Sequence, residues 1–166
     1  MSSSPKGRLA LAAVKQFGAR PFDQVTVGDL AAAAQVTTGA LYHHFASKHG
    51  LYAFVRADVE RRLLDRMEGA MAAIDSGSDR SAAVRAALLV GFDFAVSEDF
   101  LQMLGAAPAR TEHDRLAELL SGSTAPASPI LGPVLAAAWR AALIAVADGS
   151  DQQQARAALL ALDVRS

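Results

Sequence analysis

Apolar residues recur along this chain at helical rather than alternating spacing. Leu9, Ala13, Val14 and Phe17 share one face of a helix predicted from about Pro5 to Gly18. Pro5 is tolerated in a first helical turn, and Gly18 and Pro21 end the run; residues 1–4 are expected to fray. A second, short helix starts at Thr26, where Thr26 and Asp29 have capping-box spacing and Val27, Leu30 and Ala31 or Ala34 face inward. A third spans from about Thr37 or Thr38 to His43 or His44, with Leu41 and Phe45 buried four residues apart. Ser47 then caps a long helix to about Ile74, striped by Leu51, Val55, Val59, Leu63, Met67 and Met71 and widened by Phe54 and Leu64. At 1.5 Å per residue it is about 40 Å long, enough to connect a front module to a body.

Asp75 to Asp79 reads as a turn and cap. The next helix, from about Arg80 to Ser97, is apolar nearly all round and should be central. Residues 98–120 read as two shorter helices broken at Gly105 and Pro108, and Ser121 to Pro129 as a loop. Two further helices, about Ile130 to Ala147 and Asp151 to Asp163, are separated by Gly149. No internal repeat is visible.

Composition agrees with an all-α chain of 166 residues that is 52% hydrophobic and rich in alanine. The absence of cysteine excludes disulfides and thiolate metal sites and suits a cytoplasmic protein. No apolar run is long enough to span a membrane, and the N-terminus lacks the pattern of a signal peptide. The overall charge of −1 hides an asymmetry. Residues 1–66 carry nine Lys/Arg against five Asp/Glu, whereas residues 67–166 carry seven against twelve. A basic front half on an acidic body points to a polyanionic partner for the front half.

The chemistry concentrates in that front half. Two short helices joined by a tight turn are the parts of a helix-turn-helix DNA reader. Thr26, Thr37, Thr38 and Ser47 place hydroxyls at three helix starts, where free N–H groups and the helix dipole attract phosphate. The same residues also serve as ordinary caps. Gly39 leaves a helix surface bare, at a cost of up to about 1 kcal/mol in a helix interior, which suits close approach to a base edge or backbone. Tyr42, His43 and His44 can donate to phosphates or base acceptors, and Lys48 adds a cation. His44, beside Phe45, is expected to be partly structural, and His49 to be an exposed helix residue.

Arg8-Leu9, Ala12-Ala13, Phe17, Phe22, Thr26 to Ala31, Val36 to Phe45 and Ser47-Lys48 together resemble the N-terminal domain of the tetracycline-repressor (TetR) family. The resemblance runs in register over about residues 8–55. It implies an N-terminal three-helix helix-turn-helix domain, residues 1–48, joined by a long helix to a C-terminal helical ligand-binding and dimerisation domain, residues 49–166. It further implies that Thr26, Thr37, Thr38, Gly39, Tyr42, His43, His44 and Lys48 contact the phosphates or bases of a double-stranded DNA operator. The chain departs from the family at Pro21, where glycine is usual near the end of the first helix. It departs again at Gln35, where glycine is frequent in the turn of the reader; a left-handed non-glycine residue costs about 1 kcal/mol.

For the body, the resemblance implies a ligand cavity among the fourth to eighth helices and a homodimer through residues 130–164. The residues add hints of their own. Phe92, Phe94, Phe100, Met103 and Trp139 supply large apolar side chains, and Asp93 and Arg140 are polar residues inside apolar runs. They could orient an effector in a cavity; alternatively the aromatics are plain core, and Asp93 and Arg140 lie at the helix surface or pair with each other. Residues 130–147 and 151–163 are too apolar to stay solvated alone, and a four-helix dimer interface would bury them.

No enzyme motif, metal-ligand set or cofactor signature is present. Glu112-His113-Asp114 reads as a solvated triplet. The reading is therefore a ligand-responsive transcriptional regulator, most simply a repressor. The alternative is a helical small-molecule-binding or enzymatic domain that retains the fold without operator binding.

Overall fold

The computed structural model describes residues 4–74, 80–109, 112–124 and 128–162, and all regular structure among them is helical. α1 (Pro5–Ala19) is capped by the Ser4 hydroxyl, which accepts from the Gly7 N–H at 3.2 Å. A 3-10 turn, Phe22–Gln24, leads into α2 (Val27–Ala33) and α3 (Thr38–Phe45). α4 (Lys48–Ala72) is the long connector. The body consists of α5 (Arg80–Ser97), α6 (Leu101–Gly105), α7 (Arg115–Thr124), α8 (Leu131–Ala147) and α9 (Gln152–Leu160).

The stripes predicted for α1 and α4 point inward. Leu9, Ala13 and Phe17 are buried, as are Leu51, Val55, Val59, Leu63, Leu64 and Met67. Two expectations fail here for a common reason. Phe54 stays 51% exposed and Phe45 is only partly buried, because the two rings pack on each other 5.3 Å apart at the rim of the front module. The Lys6 ammonium lies 5.3 Å from the Phe54 ring centre and supplies a cation for that exposed face.

α5 is central, packing against α4, α7, α8 and α9. The core is continuous from Leu9 in α1 to Leu159 in α9, so front module and body share one interior. They meet where α1 passes the end of α5. There Asp99 is left-handed (φ 59°) and the Phe100 N–H donates to the Ala95 carbonyl at 2.8 Å, closing α5. A Cβ on Gly18 would collide with the Asp99 carbonyl, so only glycine lets α1 lie against this corner. Arg56 of α4 adds a second tie, its guanidinium donating to the Ala106 carbonyl at the end of α6 at 2.7 Å.

Three sequence expectations for the body are corrected. α7 continues through Thr124, so a loop does not begin at Ser121. The hydroxyls of Ser121, Ser123 and Thr124 donate to carbonyls four residues back, and Gly132 of α8 lies so close that a Cβ would strike Ser121. Glu112-His113-Asp114 is not simply solvated: Asp114 accepts from the Ala117 N–H at 3.0 Å and grips Arg140 through two bonds of 2.7 and 2.8 Å. Asp93 and Arg140 do not pair with each other, since Asp93 binds Arg156 of α9 at 2.9 and 3.1 Å. The turn expected at Asp75 to Asp79 and the helix end expected at Asp163 lie outside the described residues.

Candidate nucleic-acid interface

Three capped helix starts organise the front surface. The Thr26 hydroxyl accepts from the Asp29 N–H, while the Asp29 carboxylate accepts from the Thr26 N–H, both at 3.0 Å, completing the predicted capping box. The Thr26 N–H, then the Thr26 hydroxyl, hold the Asp29 carboxyl below its ordinary pKa against a slight opposing burial, with Arg20 beside it. Thr37 caps α3 through the Ala40 N–H at 3.2 Å, and Ser47 caps α4 through the Gly50 N–H at 2.9 Å.

The turn between α2 and α3 is closed by Gln35 at φ 53°. The Val36 N–H reaches back to the Ala31 carbonyl at 3.0 Å and the Gln35 N–H to Ala32 at 3.1 Å, the pattern in which glycine is usual. Arg8 of α1 supports the same corner, its Nε donating to the Ala34 carbonyl at 3.0 Å. α3 also ends on a positive-φ residue, Ala46 at φ 64°, but here the Ala46 N–H donates to the Tyr42 carbonyl and the Ser47 N–H to the Phe45 carbonyl at 2.7 Å. Each such residue costs about 1 kcal/mol, offset by the packing of the helices on either side.

α3 turns one buried residue, Leu41, toward the core and leaves Thr37, Thr38, Gly39, Tyr42 and His43 exposed. Tyr42 is 54% exposed although it is large and aromatic. His44 is half-buried with its ring 6.4 Å from Phe45, in keeping with a partly structural role. His43 stacks edgewise on His44 with ring centres 4.9 Å apart. Gly39 has no internal reason to be glycine: a Cβ would meet only the Thr37 hydroxyl, at an ordinary 3.7 Å. Thr26 is exposed at the start of α2, and Gly28 in the first turn of α2 is equally bare, meeting only the Thr26 hydroxyl at 3.6 Å. The sequence reading did not single out Gly28, although a glycine in a helix's first turn was the available signal.

Lys48 has a second occupation. Its ammonium donates to the Phe22 and Val25 carbonyls, each at 3.0 Å, and lies 4.0 Å from the Phe22 ring centre. It therefore clamps the segment between α1 and α2 onto the start of α4. One of its three N–H groups is left over. Gly50, which the sequence reading also passed over, is required by geometry, because a Cβ would collide with the Phe45 carbonyl at the α3–α4 corner.

The residues of the chain's front match the model "Bacterial regulatory proteins, tetR family" over residues 10–55. Residues 10–55 are therefore similar to the N-terminal domain of that family. The fold of the chain is that of a TetR-family transcriptional regulator from Pectobacterium atrosepticum, with a TM-score of 0.69 and 22% identity over 94% of this chain and 88% of the other. A protein assigned to the same family from Shewanella sp. PV-4 gives 0.69 and 21%, covering 96% of each chain. A TetR transcriptional regulator from Rhodococcus sp. RHA1 gives 0.53 and 20%, covering 95% and 93%. No curated protein matches the sequence.

The body residues divide into separate groups. Phe94 and Phe100 form an edgewise pair 5.6 Å apart beneath the Arg62 guanidinium. Phe92, Met103 and Trp139 are fully buried, and the Trp139 indole N–H donates to the Leu88 carbonyl at 3.0 Å. Asp93 and Arg140 are both committed to ion pairs. The Arg140 Nε–H is buried without a partner. α8 turns Leu135, Ala136, Trp139 and Leu143 inward and leaves Val134, Ala137 and Ala141 exposed, with Ile130 beside them. Leu159 of α9 is buried within the chain and cannot face a partner, whereas Leu160 is exposed. Among the described residues, no helix is long and apolar enough to cross a membrane.

Proposed function

We propose that this regulator binds a palindromic double-stranded DNA operator as a homodimer and acts as a repressor released by a small-molecule effector. The observation that carries the DNA reading is the outer face of α3. A helix of eight residues is about 12 Å long, matching the width of the major groove of B-DNA. It presents Thr38, Gly39, Tyr42 and His43 to solvent while Leu41 anchors it. Gly39 is bare for no reason inside the protein, which favours close approach from outside. In this reading Thr37, Thr38 and Gly39 lead into the groove, Tyr42, His43 and His44 meet bases or phosphates, and Thr26 and Lys48 hold the backbone on either side.

The division of labour follows residues 1–48 as reader and 49–166 as body. Two copies would meet through the faces of α8 and α9 that carry Val134, Ala137, Ala141 and Leu160, giving the twofold symmetry that a palindrome needs. The Gly18–Asp99 corner and the Arg56–Ala106 bond supply the coupling, because a displaced α6 would carry α1 and α4 with it. An effector in the body, near Phe92, Phe94, Phe100, Met103 and Trp139, would act through that corner. No catalysis is assigned, and the protein would work beside its DNA in the cytoplasm.

The test is a gel shift under a salt titration. A linear fall of log affinity with log salt and saturation at two chains per duplex are expected. Affinity independent of salt would overturn the reading.

A further inference from the structure

Leu11 on α1 is 68% exposed and Phe54 on α4 is 51% exposed, and both line one groove of about 690 Å³. Val14 forms part of its apolar wall, and Arg61, Arg62 and Arg115 stand around it. This volume lies within the range of small-molecule sites, roughly 300–1,000 Å³. The groove lies outside the core residues of the body discussed above. It bridges α1 of the front module, the connector α4 and the first residue of α7.

The charges around it are unequally engaged. Arg61 is shared between Asp58 and Asp65, at 2.6 and 3.4 Å, and Arg62 reaches Glu98 at 3.5 Å. Arg115 has no hydrogen-bond or ionic partner among the described residues. The nearby carboxylates are taken: Asp114 holds Arg140, and Glu118 lies 2.7 Å from His113. The Lys6 ammonium adds positive charge above Phe54. An apolar floor with a guanidinium at its edge that is unengaged among the described residues complements a molecule with a hydrocarbon body and an anionic head. Arginine's planar fork suits a carboxylate, which it can bind through two parallel hydrogen bonds.

We propose that this groove is a binding site for a small amphipathic carboxylate, its chain on Leu11, Val14 and Phe54 and its head on Arg115. A ligand there touches the reader and its connector at once, so it would alter DNA affinity without entering the body. That regulatory consequence rests on the DNA-binding reading above; binding to the groove does not.

The experiment is calorimetric titration of the full chain with dodecanoate below its micelle concentration, with dodecyltrimethylammonium and dodecan-1-ol as headgroup controls. One saturable dodecanoate site per chain is expected, with both controls weaker by about tenfold or more. Arg115→Gln should weaken dodecanoate by a similar factor and leave dodecan-1-ol unchanged, while Leu11→Gln should weaken all three. Both positions are exposed, so both variants should keep the wild-type melting curve. Absence of saturable binding overturns the proposal, as does binding that ignores the headgroup. Binding undiminished in both variants would place the ligand elsewhere and also overturn it. Loss of binding as chain concentration rises would mean that a second copy covers the groove, which is equally fatal. A gel shift with and without dodecanoate then reads the consequence. Unchanged DNA affinity with an occupied groove removes the regulatory claim, whereas no DNA binding under any condition removes the reading of α3 and leaves the groove site standing.

Discussion

Gly39 and Gly50 are both helical glycines, and their reasons are opposite. Gly50 is required inside the protein by the Phe45 carbonyl, whereas Gly39 faces open space. Sequence reading could pick out Gly39 because a glycine inside a short helix costs stability and so asks for a reason. It could not reach Gly50, whose reason is a carbonyl brought close only by the left-handed Ala46. Gly39→Ala is therefore expected to stabilise the fold, by up to about 1 kcal/mol in urea denaturation, while specific DNA affinity falls. Loss of both stability and affinity would contradict this account of the position. Lys48 was legible as a cation at a helix start, but its clamp on the Phe22 and Val25 carbonyls was not, because those partners come from a segment more than twenty residues earlier. Lys48→Ala should thus lower stability by about 1 kcal/mol, a value discounted for partial exposure. It should also reduce the salt slope of dimer binding by about two, one phosphate per subunit. A variant as stable as the wild type would contradict the clamp.

Helices with strong periodicity, α1, α4 and α8, were legible to within a residue or two, because their apolar stripes are set by local spacing. The end of α7 is not legible from sequence, because Ser121, Gly122, Ser123 and Thr124 have loop chemistry; packing against Gly132 and hydroxyl bonds to the preceding turn hold them helical. Asp114 immediately precedes that helix and accepts from its Ala117 N–H; its partner Arg140 lies 26 residues away and is buried. Burial tends to raise the Asp114 pKa, but the hydrogen bond from Arg140, the Ala117 N–H and the Arg140 charge together bring it below its ordinary value. A carboxyl depressed in the folded state contributes its full stabilisation above its unfolded pKa and loses it as pH falls through the folded one. The wild type should therefore lose stability on acidification below about pH 4. Asp114→Asn should cost on the order of 3 kcal/mol at neutral pH, because it leaves the Arg140 charge buried and unpaired. The variant should also flatten that acid dependence. Denaturation curves at pH 7 and at mildly acid pH check both statements, and an unchanged variant at pH 7 would remove the pair from the account.

At the scale of the whole molecule, the front module was legible because its capping, turn and aromatic pattern is short-range. The body's partnerships were not, because apolar helices look alike whether they face a core or a second chain. The structure separates the two faces of α8: Trp139 and Leu143 belong to the core, while Val134 and Ala141 are exposed. Val134→Glu combined with Ala141→Glu should yield folded monomers by light scattering and sharply weaker operator binding. A wild-type chain that is monomeric at micromolar concentration would contradict the dimer. The central claim is that two copies of α3 read successive major grooves. Binding-site selection from a pool of random duplex DNA with the purified protein tests it most directly. The account predicts enrichment of a palindrome whose half-site centres lie about one helical turn, or a multiple of it, apart. Recovery of DNA with no enriched palindrome would contradict it.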